Sequence, residues 1–588
     1  MQRQNDKNEI GISGEVKVAL TLMAALILAV VVSVFIIRSE AGQSKLFERG
    51  QGESRASHDP MEVEQLGNND LSLADSHYNE GILYIDRGRY REAIESFEMV
   101  TQLDPDNEDA YIKRGTSHYR LGQHQLAVDA FTEAIRLDPQ NAAAYSNRCA
   151  AYTNIEEHRR AIADCAEAIR LDSQLVGAYM NRGAAYGRLL QYEQAIEDFD
   201  KAIQLNPQLT GAYFNRGVAY HNLGQVSQAT QDYTTAVQLD PENAKSYFYR
   251  SVGYNELGQY QEAIQDTNKL IQINPQFAKA YNIRGIAFAN SGDNSLAARD
   301  FKMAIQLDRQ FTEAFYNLGI VYSRQGLYQQ AISELDSAIR ISPQNIGAHY
   351  HRGVAYGQLG KYPQAIEDLD RAIQMDPDFT VAQYHRGIAH GLLGEYQQAI
   401  EDFDAVIQVI PQHAGAHYHR GIAYGLLGQY QQAIEDFDTV IQVIPQHAGA
   451  HYHRGVAYSL LGQYQQAIED FDRANRIDPE FARVSHIVGT DAAPQATAVL
   501  IQRAGSERSI MIVAGLPRLS SESGYQVWRI REEGITPVES SVFSTTDTDA
   551  QMVVVPATFA AADVIGVSPG PAEGSTVPNG DFLLLGKL

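Results

Sequence analysis

Ten prolines set the frame of this chain. Pro105, Pro139, Pro207, Pro241, Pro275, Pro343, Pro377, Pro411, Pro445 and Pro479 stand 34 residues apart or twice that, with Ser173 and Arg309 in the two skipped places. Counted back from each, twelve equal units fill residues 74–481 without an insertion or deletion. Two of them are near copies, HAGAHYHRGIAYGLLGQYQQAIEDFD from His413 and HAGAHYHRGVAYSLLGQYQQAIEDFD from His447. Within each unit, apolar residues at helical spacing lead to a Leu-Gly or equivalent break, and a second such pattern follows. That predicts a helix–turn–helix repeated twelve times. One helix pair cannot bury its own apolar face, so the units must stack.

Period and pattern resemble the tetratricopeptide repeat. In the unit Thr210–Asn243 the marks of that family are Tyr213, Gly217, Tyr220, Ala229, Tyr233, Ala236 and Pro241. The twentieth place is Ala in all twelve units and the eighth is Gly in ten. Both places need little side chain, because a bulky residue would force the two helices apart at a cost of about 1–3 kcal/mol. The proline ends the second helix by withholding an N–H. The resemblance implies an all-α superhelix of twelve repeats whose first helices line a concave groove, and a role in protein–protein interaction.

In the family the second, fifth, sixth, ninth and twelfth places face the groove. Here the fifth is mostly aromatic, with Tyr350, Tyr384, Tyr418 and Tyr452 in the late repeats. The sixth is Asn147, Asn181, Asn215 and Asn317 early, then His351, His385, His419 and His453. Rings and neutral hydrogen-bonding groups suit an extended peptide, since amides pair with a backbone whatever its sequence. Asparagine files hold peptide backbones in similar superhelices, and the resemblance carries that role to the four asparagines. The histidines give no metal site. His417 and His419, two apart on a helix, point about 200° from each other, and no Asp, Glu or Cys completes a ligand set at fixed spacing. The four sixth-place imidazoles could instead charge together near pH 6.

The words AIEDFD and AIEDLD put Glu197-Asp198, Glu367-Asp368, Glu401-Asp402, Glu435-Asp436 and Glu469-Asp470 on second helices, where a solvated outer face is expected. Arginines before the eighth-place glycine (Arg182, Arg216, Arg352, Arg386, Arg420, Arg454) stand where the family often has Leu, and should pack their stems beside an acidic neighbour. The two cysteines, Cys149 and Cys165, both fall in the third unit, at its eighth and twenty-fourth places. Their coincidence suggests a disulfide and an oxidising compartment, although the two places read as about one helical turn out of register.

Residues 18–37, VALTLMAALILAVVVSVFII, form an uncharged run between Lys17 and Arg38, long enough to span a bilayer as a transmembrane helix. The competing cleaved signal peptide, with Ser39-Glu40-Ala41 at its site, is disfavoured by the length of the run and by Arg38. Residues 1–17 are a short tail and 38–73 a polar, flexible linker. Basic residues are nearly balanced across the span, so charge leaves the orientation open. A net charge of −25 argues against nucleic acid as a partner.

From residue 482 to 588 the texture changes to short apolar runs between Gly, Ser, Pro and Asp turns, which predicts a small β-sandwich. The runs GLPRLSSESGYQVWRI and VSPGPAEGSTVPNGDFLLLG are similar to the C-terminal domain of anti-sigma-K factors, with Ser568-Pro569 and Glu573-Gly574 departing from its pattern. In that family the domain lies outside the cytoplasmic membrane after one span, which implies the same for the bulk of this chain. Only about 17 residues precede the span, and they hold no Cys/His motif, so the sigma-binding module is missing. No GxSxG, HExxH or Walker lysine occurs, and no cofactor or enzymatic activity is expected. The expectation is a membrane-anchored scaffold of the bacterial cell envelope that binds proteins or peptides in its groove. The alternative is an envelope-stress or transcription regulator acting through the terminal domain.

Overall fold

The structure is a computed structural model that describes residues 67–588 apart from 521, 545–549, 562 and 588. The run 18–37, the tail before it and most of the linker lie outside the described residues. No helix among the described residues is long and apolar enough to cross a membrane. The chain divides into two compact units, one ending at Ala314 and one running from Phe315 to Leu588.

The first unit is built of paired helices, from Gly67–Asp86 and Tyr90–Leu103 through Ala278–Asn290 and Asn294–Leu307. Its first helix has 20 residues where its counterparts have 13, and it begins inside the stretch expected to be linker. Leu71 stands where a proline precedes most later first helices, so the proline-imposed break is missing there. Elsewhere the ends are set by local chemistry. Asn141 accepts from the Ala144 N–H at 2.9 Å and caps Ala142–Asn154. Asp138, forced out of helical geometry by Pro139, ends His124–Leu137 at φ −127°. The break between paired helices needs a positive φ. Gly224 supplies it at 73°, while Leu190 adopts 61° at the same turn of its repeat.

Two kinds of contact between residues sixteen apart recur in the helix pairs. The eighth-place glycine meets the residue at the twenty-fourth place: a Cβ on Gly183 would stand 2.8 Å from the Phe199 ring, and one on Gly217 2.7 Å from Tyr233. Repeat 6 replaces Gly and ring by Ser251 and Thr267, both fully buried. Repeat 3 replaces them by Cys149 and Cys165, which are bonded, with Cα atoms 5.5 Å apart. The sequence-based register was therefore off by a turn, because eighth and twenty-fourth places face each other directly. Beside this contact, Arg182 grips Asp198 through two bonds of 2.9 and 2.6 Å. Asp198 is 4% exposed and Glu197 is exposed. Half of each Glu-Asp word is thus solvated and half is core, which corrects the expectation of a wholly solvated face.

The second unit continues the pattern through Tyr464–Ile477 and ends in eight strands. These are β1 (Ala482–Gly489), β2 (Thr497–Arg503), β3 (Ser509–Ala514), β4 (Ser523–Arg531), β5 (Gly534–Phe543), β6 (Ala550–Val555), β7 (Val564–Pro571) and β8 (Leu584–Lys587). They form one curled antiparallel sheet in the order β5-β4-β7-β8-β1-β2-β3-β6, not the expected sandwich. The cause is β8, whose few residues pair with β7 on one side and β1 on the other, joining what would otherwise be two sheets. Leu500, Met511, Tyr525, Val527, Ile565 and Leu584 fill the inner face. Trp528 is a core residue, and its indole N–H donates to Ser568 Oγ at 2.9 Å, which gives the departure at Ser568 a role.

Two outcomes follow from these contacts. Denatured without reductant, the chain should show no free thiol, and two after reduction; opening the bond, which closes a loop of 16 residues, should cost about 3 kcal/mol in the first unit's unfolding. Asp198→Ala leaves the half-buried Arg182 guanidinium without its partner and should cost about 2 kcal/mol by denaturant unfolding, whereas R182M/D198M together should recover most of that loss.

Candidate functional site: the lining of the first helices

The histidines divide by place into three roles. His413 and His447 cap first helices, their Nδ1 accepting from the N–H of Ala416 at 3.0 Å and Ala450 at 2.9 Å. His349, His417 and His451 are buried, with Nδ1 facing Asp368, Asp436 and Asp470 at 3.1, 2.7 and 3.0 Å. Their Nε2 faces the carbonyls of Pro343, Pro411 and Pro445 at 3.2, 3.0 and 3.3 Å. These rings tie the first helix to the preceding turn and to the second helix. The third set is the sixth-place file.

His351, His385, His419 and His453 alternate with Tyr316, Tyr350, Tyr384, Tyr418 and Tyr452 in one continuous ladder. Tyr350, Tyr384 and Tyr418 each touch the histidine of their own repeat and of the next, for example Tyr384 with His385 at 5.4 Å and His419 at 6.0 Å between centroids, while Tyr316 touches His351 and Tyr452 touches His453. The tyrosines lie across the neighbouring first helix: a Cβ on Gly415 would stand 2.7 Å from Tyr384 Oη, and one on Gly449 2.8 Å from Tyr418 Oη. Glycine at the second place is thus the seat for the preceding ring. Tyr350 is 4% exposed, packed against Phe379 at 5.1 Å, and Tyr452 is 9% exposed. These two give their rings to neighbouring residues and not to an open surface, contrary to the sequence-based expectation. Tyr384, Tyr418 and the four histidines are half-buried.

Burial pushes all four imidazoles down to about 4, with Arg324 adding to the effect on His351 and Arg503 on His453. The file is therefore neutral at pH 6, contrary to the expected joint charging there. The unfolded chain takes up these protons near pH 6.5 and the folded chain only near 4, so stability falls as pH drops through that window. Thermal unfolding of the second unit should weaken from pH 7 to pH 4.5, by at most about 1.4 kcal/mol per pH unit per imidazole. Replacing all four by Asn should flatten that slope.

The asparagine file lies in the first unit except for Asn317. Asn181 donates to the Ser146 carbonyl of the preceding repeat at 3.4 Å. Asn147 and Asn215 are half-buried, and their side chains make no hydrogen bond among the described residues. Asn317 is half-buried in the second unit. No group of His, Cys, Asp and Glu among the described residues could hold a metal ion.

Sequence reasoning missed the thirteenth place. Leu392 and Leu426 are 61% and 60% exposed there, and Leu460 43%. Reading that place down successive repeats would have shown it turning apolar only in the last three. It also missed Arg503, which comes from the sheet and belongs to no repeat.

The tetratricopeptide repeat family matches residues 78–142, 112–176, 176–209, 211–243, 244–277, 324–360, 347–379 and 414–447. The family described as anti-sigma-K factor rskA, C-terminal, matches residues 454–582. No curated protein matches the chain. Among solved structures, the APC/C hetero-tetramer Cut9-Hcn1 is similar over 70% of this chain and 95% of its own, at 17% identity and a TM-score of 0.36. MamA is 26% identical over 29% of this chain and 92% of its own, with a TM-score of 0.26. YrrB, described as a TPR protein with an unusual peptide-binding site, is 25% identical over 32% of this chain and 96% of its own, with a TM-score of 0.27.

Proposed function

We propose that this chain, which carries tetratricopeptide repeats and ends in a domain of the anti-sigma-K factor C-terminal family, is a protein-interaction scaffold that holds extended peptide segments along its first helices. The observation that carries this is the split between structural and unused polar groups. Arginines, aspartates and capping residues satisfy one another within and between repeats, while the amides of Asn147 and Asn215 stay open on the first helices. An amide has both a donor and an acceptor for a passing backbone.

The finer part of the proposal is a single-pass anchor at residues 18–37, with the repeats and the sheet outside the cytoplasmic membrane of a bacterium. It is supported by the uncharged run, by the Cys149–Cys165 bond and by the family of the last domain. Protease added to intact spheroplasts should cleave the repeats; protection would place them in the cytoplasm instead. A photoreactive residue at Asn215 or Leu426 should crosslink a partner's chain at least tenfold more than one at exposed Glu197 on a second helix. Equal yields would remove the groove from the proposal.

A second reading, a regulator of envelope transcription, is favoured by the match at residues 454–582. Sigma-dependent transcription that is the same in cells with and without the chain would count against it.

A further inference from the structure

The lining changes character towards the end of the array. At its second, fifth, sixth, ninth, twelfth and thirteenth places, repeats 9–12 carry no Asp, Glu, Lys or Arg, in a chain of net charge −25. At the leucine's place, earlier repeats have Asp86, Arg120, Asn154, Arg188, Asn222 and Glu256. In the last three repeats Ile388 and Leu392, Ile422 and Leu426, Val456 and Leu460 stand one turn apart on the same helix face. Three consecutive first helices therefore present a shared apolar stripe, which begins about 5 Å along the helix axes from the neutral Tyr/His ladder and reaches about 12 Å from it at the leucines.

The sheet closes this surface at one end. Val499, Ile501 and Ile512 pack with Tyr452, Phe471 and Ala474 over the face where another repeat would stack. The same sheet contributes Arg503. Its guanidinium lies 5.7 Å from the centre of the Tyr452 ring and 5.2 Å from that of Phe481, is exposed, and has no carboxylate partner among the described residues. Stacking on two rings fixes a planar cation without neutralising it, which leaves its outer edge free for a carboxylate. A chain that crosses the repeats towards the sheet cannot continue past it, so the anion suited to this corner is one that ends a chain.

We propose that repeats 10–12 and the sheet together hold the apolar C-terminal tail of another polypeptide, with Ile388, Leu392, Ile422 and Leu426 on its side chains and Arg503 on its terminal carboxylate. This rests on the peptide-binding proposal above and adds the chemistry of the ligand. β8 is not the occupant, because it is paired on both edges within the sheet.

The test uses the whole chain in non-ionic detergent and two libraries of random nonapeptides, one with free C-terminal carboxylates and one amidated. The expected result is retention of uncharged peptides rich in Leu, Val and Phe, with the free acids enriched at least tenfold over the amides. R503Q should lose that preference and still retain apolar peptides, and L392S/L426S, which alters only exposed side chains, should lose both. Equal retention of acids and amides by the unaltered chain, or an unchanged preference in R503Q, overturns the proposal. Peptides retained equally by L392S/L426S overturn it too but leave peptide binding elsewhere in the array standing. Retention of no peptide overturns both, as does a dimer that L392S/L426S dissociates.

Discussion

The contact between a residue in each first helix and the residue sixteen positions later governs the rest. It comes as a side-by-side couple. The seventh-place arginine meets an aspartate in nine repeats among those described, and the eighth-place glycine meets a ring or Leu. Close approach excludes water from the ion pair, and the ion pair in turn fixes the register in which the ring can seat. Arg216, Arg352, Arg386, Arg420 and Arg454 also reach Asp200, Asp336, Asp370, Asp404 and Asp438 on the preceding second helix. One side chain then spans three helices. A guanidinium suits this better than an ammonium, since its fork bonds in two directions at once.

Because packing is settled by these couples, the outward places of the first helices are free to vary. The same residue type can then do unrelated work in neighbouring positions. Within a few residues, His413 caps a helix, His417 bridges a carboxylate and a carbonyl, and His419 sits between rings. Spacing alone separates these roles, and none of them requires a metal.

Much of this was legible in the sequence. The period gave the helix pairs and the turns between them, because each is a local rule repeated without insertion. What escaped was non-local. The burial of Asp198 beside exposed Glu197 depends on an arginine sixteen residues away, and the facing of Cys149 and Cys165 depends on the tilt between paired helices. In the sheet, β1 follows the last helix through Asp478-Pro479, the same turn that elsewhere leads into another first helix, so nothing local announces a strand. Its polar Arg483 is turned inward to the Phe559 carbonyl. β5 holds Pro537 and shows a break in register against β4, which marks an edge strand and hides its alternation. A single sheet looked like two because the strand that unites its halves is only four residues long.

The seal of Val499, Ile501 and Ile512 over the last repeat has a consequence for how such a molecule can lengthen. A unit appended after the twelfth would have to displace the sheet and expose its apolar underside, so growth at that end is barred. Tandem gene duplication can enlarge the stack only by insertion upstream, between members already matched to each other. The near-identical neighbours that begin at His413 and His447 stand just inside this boundary, where a copied module meets surfaces equivalent to those it left.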